Sequence, residues 1–265
     1  MSYQIRALTI SEIIDGAFKL YRDNFGVFLG TAALTGLPAV IAASCFGLYD
    51  PTQFAAAGAS DDLMVGRAIG ILVGLPIWGC VYIIQQASLT SAIADAYLGR
   101  PVSLAGAFRR IPPLLGSLLG AFILYFLGVG IGLLLLVIPG IILCFRWFFI
   151  TQAIVVDGKT AAQSLSRSAV LTNGRKGRLF ALMFLLGLIQ SAVSWGFQAL
   201  VPASIESIPI MGAIILNLPT IVLTPLVPAV TTLAYFDARV RSEGFDLEIL
   251  ANGIGSPTPV VSAST

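Results

Sequence analysis

The stretch Leu8–Gly30, LTISEIIDGAFKLYRDNFGVFLG, decides how the rest of the chain is read. Thr9 stands at a helix N-cap, and Glu12 three residues on completes a capping box, in which each side chain serves the other residue's backbone N–H. Leu8 and Ile13 occupy the positions of a hydrophobic staple. Ile10, Ile13, Ile14, Ala17, Phe18, Tyr21 and Phe25 then follow the i, i+3, i+4 spacing of one apolar stripe, while Glu12, Asp15, Lys19, Arg22 and Asp23 take the other face. A helix divided this way, over about residues 9–24, is expected to lie in a membrane interface with its apolar side down. The competing expectation is a helix packed on a protein partner. From Phe25 the charge disappears and an apolar run begins, so the amphipathic helix feeds directly into a membrane span.

The unit returns. Gly106-Ala107-Phe108-Arg109 matches Gly16-Ala17-Phe18-Lys19, and at the same offset Gly116, Leu119 and Gly120 match Gly26, Leu29 and Gly30. This pattern reads as an internal repeat of an amphipathic helix followed by a helical hairpin. A third island, DGKTAAQSLSRSAVLTNGRKGR, again places a short helix before basic residues, with Leu165, Ala169 and Val170 on one side. Interfacial helices are therefore expected at about 9–24, 103–111 and 160–172.

Composition supports a membrane setting. The 265 residues are 57% hydrophobic and 11% charged, with mean hydropathy +0.93, against about 25% charged in a soluble domain. The requirement for roughly 20 apolar residues per span places six spans at about 25–45, 65–97, 114–137, 140–156, 179–201 and 208–236. The fold expected is an all-α membrane protein, a six-transmembrane bundle with cytoplasmic interfacial helices before spans one, three and five. It forms a single domain over 1–250, followed by a small, polar tail at 251–265 expected to be disordered. Span two is longer than needed and contains Pro76, which predicts tilt or a kink. Between spans three and four, Val137-Ile138-Pro139-Gly140 reads as a turn with Pro-Gly chemistry. The first residues lack a signal-peptide pattern, so the first span is expected to direct insertion.

Orientation follows from basic residues. Arg6, Lys19, Arg22, Arg100, Arg109, Arg110, Lys159, Arg167, Arg175, Lys176, Arg178, Arg239 and Arg241 fall on one side of the six-span reading and Arg67 at the other boundary, which predicts cytoplasmic termini. Asp50, Asp61, Asp62 and Glu206 fall on the opposite side.

Several function classes are excluded or left bare. The chain has no histidine, which removes histidine bases, ligands and triads. Cys45, Cys80 and Cys144 sit in apolar runs without metal or redox spacing. No phosphate loop, dinucleotide fingerprint, nucleophile elbow or zinc-protease motif is present. The expectation is a protein without catalytic residues, cofactor, metal or nucleic-acid partner.

Polarity inside the spans supplies candidates. Gln85, Ser88 and Asp95 share a face of span two; Gln190, Ser194 and Gln198 form an i, i+4, i+8 stripe on span five; Asn217, Thr220, Thr224 and Thr231 line one side of span six, which carries Pro219, Pro225 and Pro228. They read either as a polar path with a broken gating helix or as interhelical hydrogen bonding. Arg146 lies six residues after Gly140, about 9 Å below the outer turn, and either faces the interior or snorkels. Asp95 is its obvious counter-charge but lies at the cytoplasmic end of span two. On the cytoplasmic face, Lys19, Arg22, Arg109, Arg110, Arg175, Lys176 and Arg178 are candidates for anionic headgroups, each worth about 1 kcal/mol near the surface.

Three blocks carry a family likeness: LTISEIIDGAFKLYRDNF at 8–25, IPGIILCFRWFFITQAIVVDGKTAAQSLSRSAVLTNG at 138–174 and YFDARVRSEGFDLEIL at 235–250. With these the chain resembles the bacterial glycerophosphoryl diester phosphodiesterase membrane-domain family and related multi-span proteins. Some members fuse this region to a catalytic barrel that uses histidines and a metal. Without histidine, and with no room for a barrel after Leu250, the resemblance implies the membrane module alone, in a bacterial cytoplasmic membrane, and carries over no active-site residue. The leading expectation is a non-enzymatic module that engages anionic lipids or recruits protein partners, itself included as a homo-oligomer. The alternative is a small permease or lipid-transport subunit using spans two, five and six.

Overall fold

The computed structural model describes residues 6–45, 61–202 and 209–244 of the protein. Within them the chain is helical, with no strand. The helices are α1 (Ile10–Asp23), α2 (Phe25–Cys45), α3 (Asp61–Tyr97), α4 (Leu104–Arg109), a 3-10 turn at Pro112–Leu114, α5 (Leu115–Leu135), α6 (Val137–Arg146), α7 (Ile150–Val155), α8 (Ala161–Leu171), α9 (Lys176–Leu200), α10 (Pro209–Leu223) and α11 (Leu226–Glu243). Five stretches are long and apolar enough to cross a membrane: Leu72–Tyr97, Leu104–Leu135, Val137–Val155, Lys176–Leu200 and Met211–Glu243. A sixth arises if α1 and α2 count as one bent span, and those two helices meet at 87°. Asp50, Glu206 and the tail at 251–265 lie outside the described residues.

The capping box forms on its sequence spacing. Glu12 N donates to Thr9 Oγ1 at 3.2 Å, and Thr9 N donates to Glu12 Oε2 at 2.7 Å. The Thr9 backbone N–H, then Arg6, hold the Glu12 carboxyl down to about 2 from its ordinary 4.5. A depressed carboxylate stabilises the fold above its unfolded value, so this contribution declines below pH 4.5 and is gone once pH falls through about 2. Thr9→Ala is expected to cost about 1 kcal/mol in thermal unfolding of the solubilised protein.

The apolar stripe of α1 meets the protein itself, which corrects the interfacial expectation. Ile13, Ala17 and Leu20 are fully buried, with Ile14 and Tyr21 nearly so, along α11. The approach is close, since a Cβ on Gly16 would stand 3.0 Å from the Leu233 side chain. Only Phe18 and Phe25, at the stripe's margins, stay exposed. The reason is α11. Leu226 and residues 228–238 are buried without interruption, and a helix covered on all sides is the centre of a bundle. Around it pack α1, α3, α7, α8 and α9.

The expected interfacial helices at 103–111 and 160–172 also pack on the bundle. Ala107 of α4 is buried, and Gly30 of α2 lies against Leu104. In α8 the buried face is Ser164, Ser168 and Leu171, with Thr172 after it, whereas Val170 is 64% exposed. Small hydroxyl side chains are chosen there because α8 closes a break in the neighbouring span. The expected single span at 140–156 is interrupted at Trp147–Phe149 between α6 and α7. Ser168 Oγ accepts Phe149 N at 2.9 Å and donates to Arg146 O at 3.0 Å, and Thr172 Oγ1 also donates to Arg146 O, at 3.1 Å. Ser168→Ala would leave buried backbone groups short of partners, at a cost of about 1–3 kcal/mol, readable as a lowered midpoint in the same unfolding assay.

The turn between α5 and α6 is a second correction. Leu136 alone is extended (φ −162°, ψ 134°), and residues 137–140 are already helical. Proline is tolerated there because the first helical N–H groups have no intrahelical acceptor. Gly140 serves packing instead: its Cβ would come 2.5 Å from the Leu133 side chain and 2.7 Å from Leu133 N. A Cβ on Gly132 would stand 3.0 Å from Gly140 Cα, and one on Gly128 would overlap the Trp147 ring. The hairpin is thus a close glycine contact of the small-residue type found between spans.

The last span is broken at Thr224–Pro225 between α10 and α11. The carbonyls there accept side chains: Tyr21 Oη donates to Val222 O at 2.7 Å and Gln190 Nε2 donates to Leu223 O at 3.2 Å. Broken spans require such replacement partners. Beyond the expected end at 236, α11 continues to Glu243 and stops at Gly244 with φ +64°, a left-handed cap.

Candidate functional site

At one end of the bundle basic side chains meet on two buried acids, Asp237 and Asp95, and the half-buried Asp157. Asp237 accepts Leu8 N at 2.7 Å and Arg241 Nε at 2.9 Å, and pairs with Arg178 Nη2 at 3.3 Å. Arg178 and Arg241 also donate to Leu8 O. Asp157 accepts Tyr235 Oη at 2.6 Å and Arg167 Nε at 3.0 Å, with Arg239 Nη1 at 3.3 Å. Arg167 forks onto Glu243, whose carboxylate pushes the guanidinium further above its usual range against the effect of burial. Asp95 pairs with Arg110 at 2.7 Å and Arg100 at 3.6 Å. Arg110 and Arg178, expected on headgroups, are therefore engaged by acids of the protein. Asp95 is satisfied locally and is not the counter-charge of Arg146. Arg175 is turned to the Leu171 carbonyl at 3.1 Å.

Arg146 ends α6 on the exposed surface rather than facing the interior. It lines a cavity of about 420 Å³ with Ser166, Asn173 and Lys176. No acid lines this cavity, and among the described residues neither cation has an ion pair. Two candidates from separate lists thus belong to one place. Lys19 and Arg22 border another hollow with Asp15; Arg109 is exposed at the end of α4.

The uncharged candidates converge. Gln85 of α3, Gln190 and Gln198 of α9 and Asn217 of α10 all line one groove of about 470 Å³, floored by Thr35 and Gly36 of α2. Gln85 is nearly buried and donates to Ala32 O at 3.1 Å; Asn217 Nδ2 donates to Ala213 O at 2.8 Å. Two tryptophans, Trp78 and Trp195, stand at its mouth, about half and three-quarters exposed. Among the described residues, no side chain lining the groove is charged. Such a site can hold a polar molecule by hydrogen bonds to its amides and hydroxyls. Among the described residues no cluster of three histidine, cysteine or carboxylate groups could hold a metal.

An adjoining cavity went unread in the sequence. It measures about 450 Å³ and shares Trp78, Tyr82, Gln86 and Val227 with the groove. Gln152 of α7 and Thr90 of α3 line it. Gln152, an amide inside an apolar run, was the signal available.

No curated protein and no solved structure matches the chain. Residues 102–239, just over half of its length, match the family described as Domain of unknown function (DUF7847), a stretch running from the second amphipathic segment through the central helix α11. The chain belongs to that family.

Proposed function

We propose that the protein is a six-span membrane protein, with α2 completing the set and both termini cytoplasmic, that binds and moves a small uncharged polar or amphiphilic compound through the groove between α3, α9 and α10. The observation that carries this reading is the convergence of Gln85, Gln190, Gln198 and Asn217 on one uncharged cavity. Its volume is that of ordinary ligand pockets, about 300–1,000 Å³. Dispersed interhelical hydrogen bonding would not require the four to share a cavity. The broken α10–α11 span at its base supplies the discontinuous helix common in transport sites. The meeting of Arg100, Arg110, Arg167, Arg178, Arg239 and Arg241 with acids of the bundle supports a single cytoplasmic side. The likeness to the phosphodiesterase-linked membrane module fits a protein without its own catalytic groups.

Proteoliposomes test the reading with two probes, glycerol efflux and transbilayer movement of an acyl-labelled fluorescent diacylglycerol. Acceleration of either, falling at least fivefold in a folded Gln198→Leu/Asn217→Leu variant, is the expected result. If the wild-type protein accelerates neither, the reading fails.

A second reading has its own observation. The acid-free cavity of Arg146 and Lys176 suits the phosphate of an anionic lipid, as a non-enzymatic module of the cytoplasmic face would require. At about 1 kcal/mol per cation, Arg146→Gln/Lys176→Gln should weaken retention of phosphatidylglycerol roughly thirty-fold in native mass spectrometry. Equal retention by variant and wild type would remove this site from consideration.

A further inference from the structure

Two residues that line the aromatic cavity beside the groove carry buried polar atoms without a hydrogen-bond partner. Gln152 is 4% exposed and Thr90 is 1% exposed. Gln152 spends its Nε2 on Thr231 Oγ1 at 2.8 Å. Its Oε1, and the Thr90 hydroxyl, have no hydrogen-bond partner. Buried polar groups are almost always paired, and leaving one unpaired costs about 1–3 kcal/mol. Both of these line the same cavity. Its other walls include the aromatic side chains Phe122, Tyr125, Phe126 and Trp147, and among the described residues none that lines it is charged. Phe126 and Tyr82 are 59% and 40% exposed, so the cavity opens onto the apolar outer surface rather than toward the ion-paired end.

We propose that this cavity binds the hydroxyl-bearing end of an uncharged long-chain amphiphile drawn from the bilayer. The hydroxyl donates to Gln152 Oε1 and accepts from Thr90 Oγ1, and the chain lies against the aromatic wall. One hydroxyl satisfies both orphans because it is donor and acceptor together. A carboxylate or phosphate is disfavoured, since Gln152 presents an oxygen and no cation lines the site to offset the loss of hydration. The site goes beyond the transport reading and does not depend on it: the cavity binds its ligand whether or not the neighbouring groove conducts anything.

Tryptophan fluorescence tests the assignment. The chain has three tryptophans, and Trp78→Phe/Trp195→Phe leaves Trp147 in the cavity wall as the reporter. The full-length protein in nanodiscs of saturated lipid is titrated with dibromostearyl alcohol, its methyl ether and dibromostearate at pH 9. The alcohol should quench Trp147 saturably at concentrations at least tenfold below those needed for the ether, which cannot donate, or the carboxylate. Gln152→Leu and, separately, the near-isosteric Thr90→Val should each bring the alcohol curve toward that of the ether. Equal, unsaturable quenching by all three probes would show collision from the bulk lipid, with water as the cavity's occupant, and would overturn the assignment. An alcohol preference unchanged in both folded variants would overturn it as well. Neither result bears on glycerol or diacylglycerol movement, so the two proposals fail separately.

Discussion

Asp237→Ala will cost about 3–5 kcal/mol of stability, the range for removing one member of a buried charge pair. The carboxylate is 3% exposed and holds three groups from three parts of the chain: Leu8 N, Arg178 and Arg241. Its loss leaves the Leu8 N–H without an acceptor and a guanidinium on Arg178 whose Nε already lacks a partner. Asp237→Asn keeps an acceptor for Leu8 but loses the charge, so a smaller cost is expected. Arg241→Gln, at the more exposed partner, should cost least, since exposed pairs contribute about 0–1 kcal/mol. Detergent-titration unfolding ranks the three variants. The damage has an address, since Leu8 anchors the start of α1; limited proteolysis should cut Asp237→Ala first at Lys19 or Arg22. An alanine variant within 1 kcal/mol of wild type would mean that α1 is not held by this acid.

Gly140→Val will cost about 3 kcal/mol, near the upper end for overpacking. The obstacle is partly backbone: the new Cβ would stand 2.7 Å from Leu133 N, and a backbone atom cannot move aside as a side chain can. Gly140→Asn separates the two roles a glycine can have. Asparagine is accepted in many turns, so a turn glycine would tolerate it and a packing glycine will not. Gly130 is the internal control, because a Cβ there meets nothing within 4 Å. Gly130→Ala should be neutral or slightly stabilising through helix propensity. If Gly130→Ala and Gly140→Val lower the unfolding midpoint equally, close packing of the α5–α6 hairpin is not what these glycines supply.

The helical segments were legible in the sequence wherever hydropathy alone sets them. A helix fills the stretch 25–45 as Phe25–Cys45, and the Thr9–Glu12 box forms as its spacing requires. A second box, Thr160 with Gln163, is written equally plainly as T-x-x-Q. What sequence could not carry is the partner of each face. The stripe of α1 looks the same whether it meets lipid or another helix, and the choice was made by α11, more than two hundred residues away. Pro139-Gly140 reads as a turn because that pair does make turns; only the closeness of Leu133 shows otherwise. Arg110 and Asp95, or Arg178 and Asp237, cannot be matched from the positions of the cations in the sequence. The polar candidates fared differently. Gln85, Gln190, Gln198 and Asn217 were chosen for being amides in apolar runs, and they share one groove because a bundle turns its costly groups toward one another. Gln152 satisfied the same criterion and was overshadowed by the nearby Arg146.

The central position of α11 has a consequence for how the molecule is made. Every other described helix leaves the ribosome before the one around which they assemble. Until then the apolar face of α1 has no protein to cover it, and α3, α8 and α9 have no hub. An amphipathic helix in that condition rests on the nearest apolar surface, the membrane interface. The reading that suits α1 poorly in the finished bundle therefore describes its waiting place during synthesis. Closure comes last, when Asp237 arrives to take the Leu8 N–H and ties the start of α1 to α11.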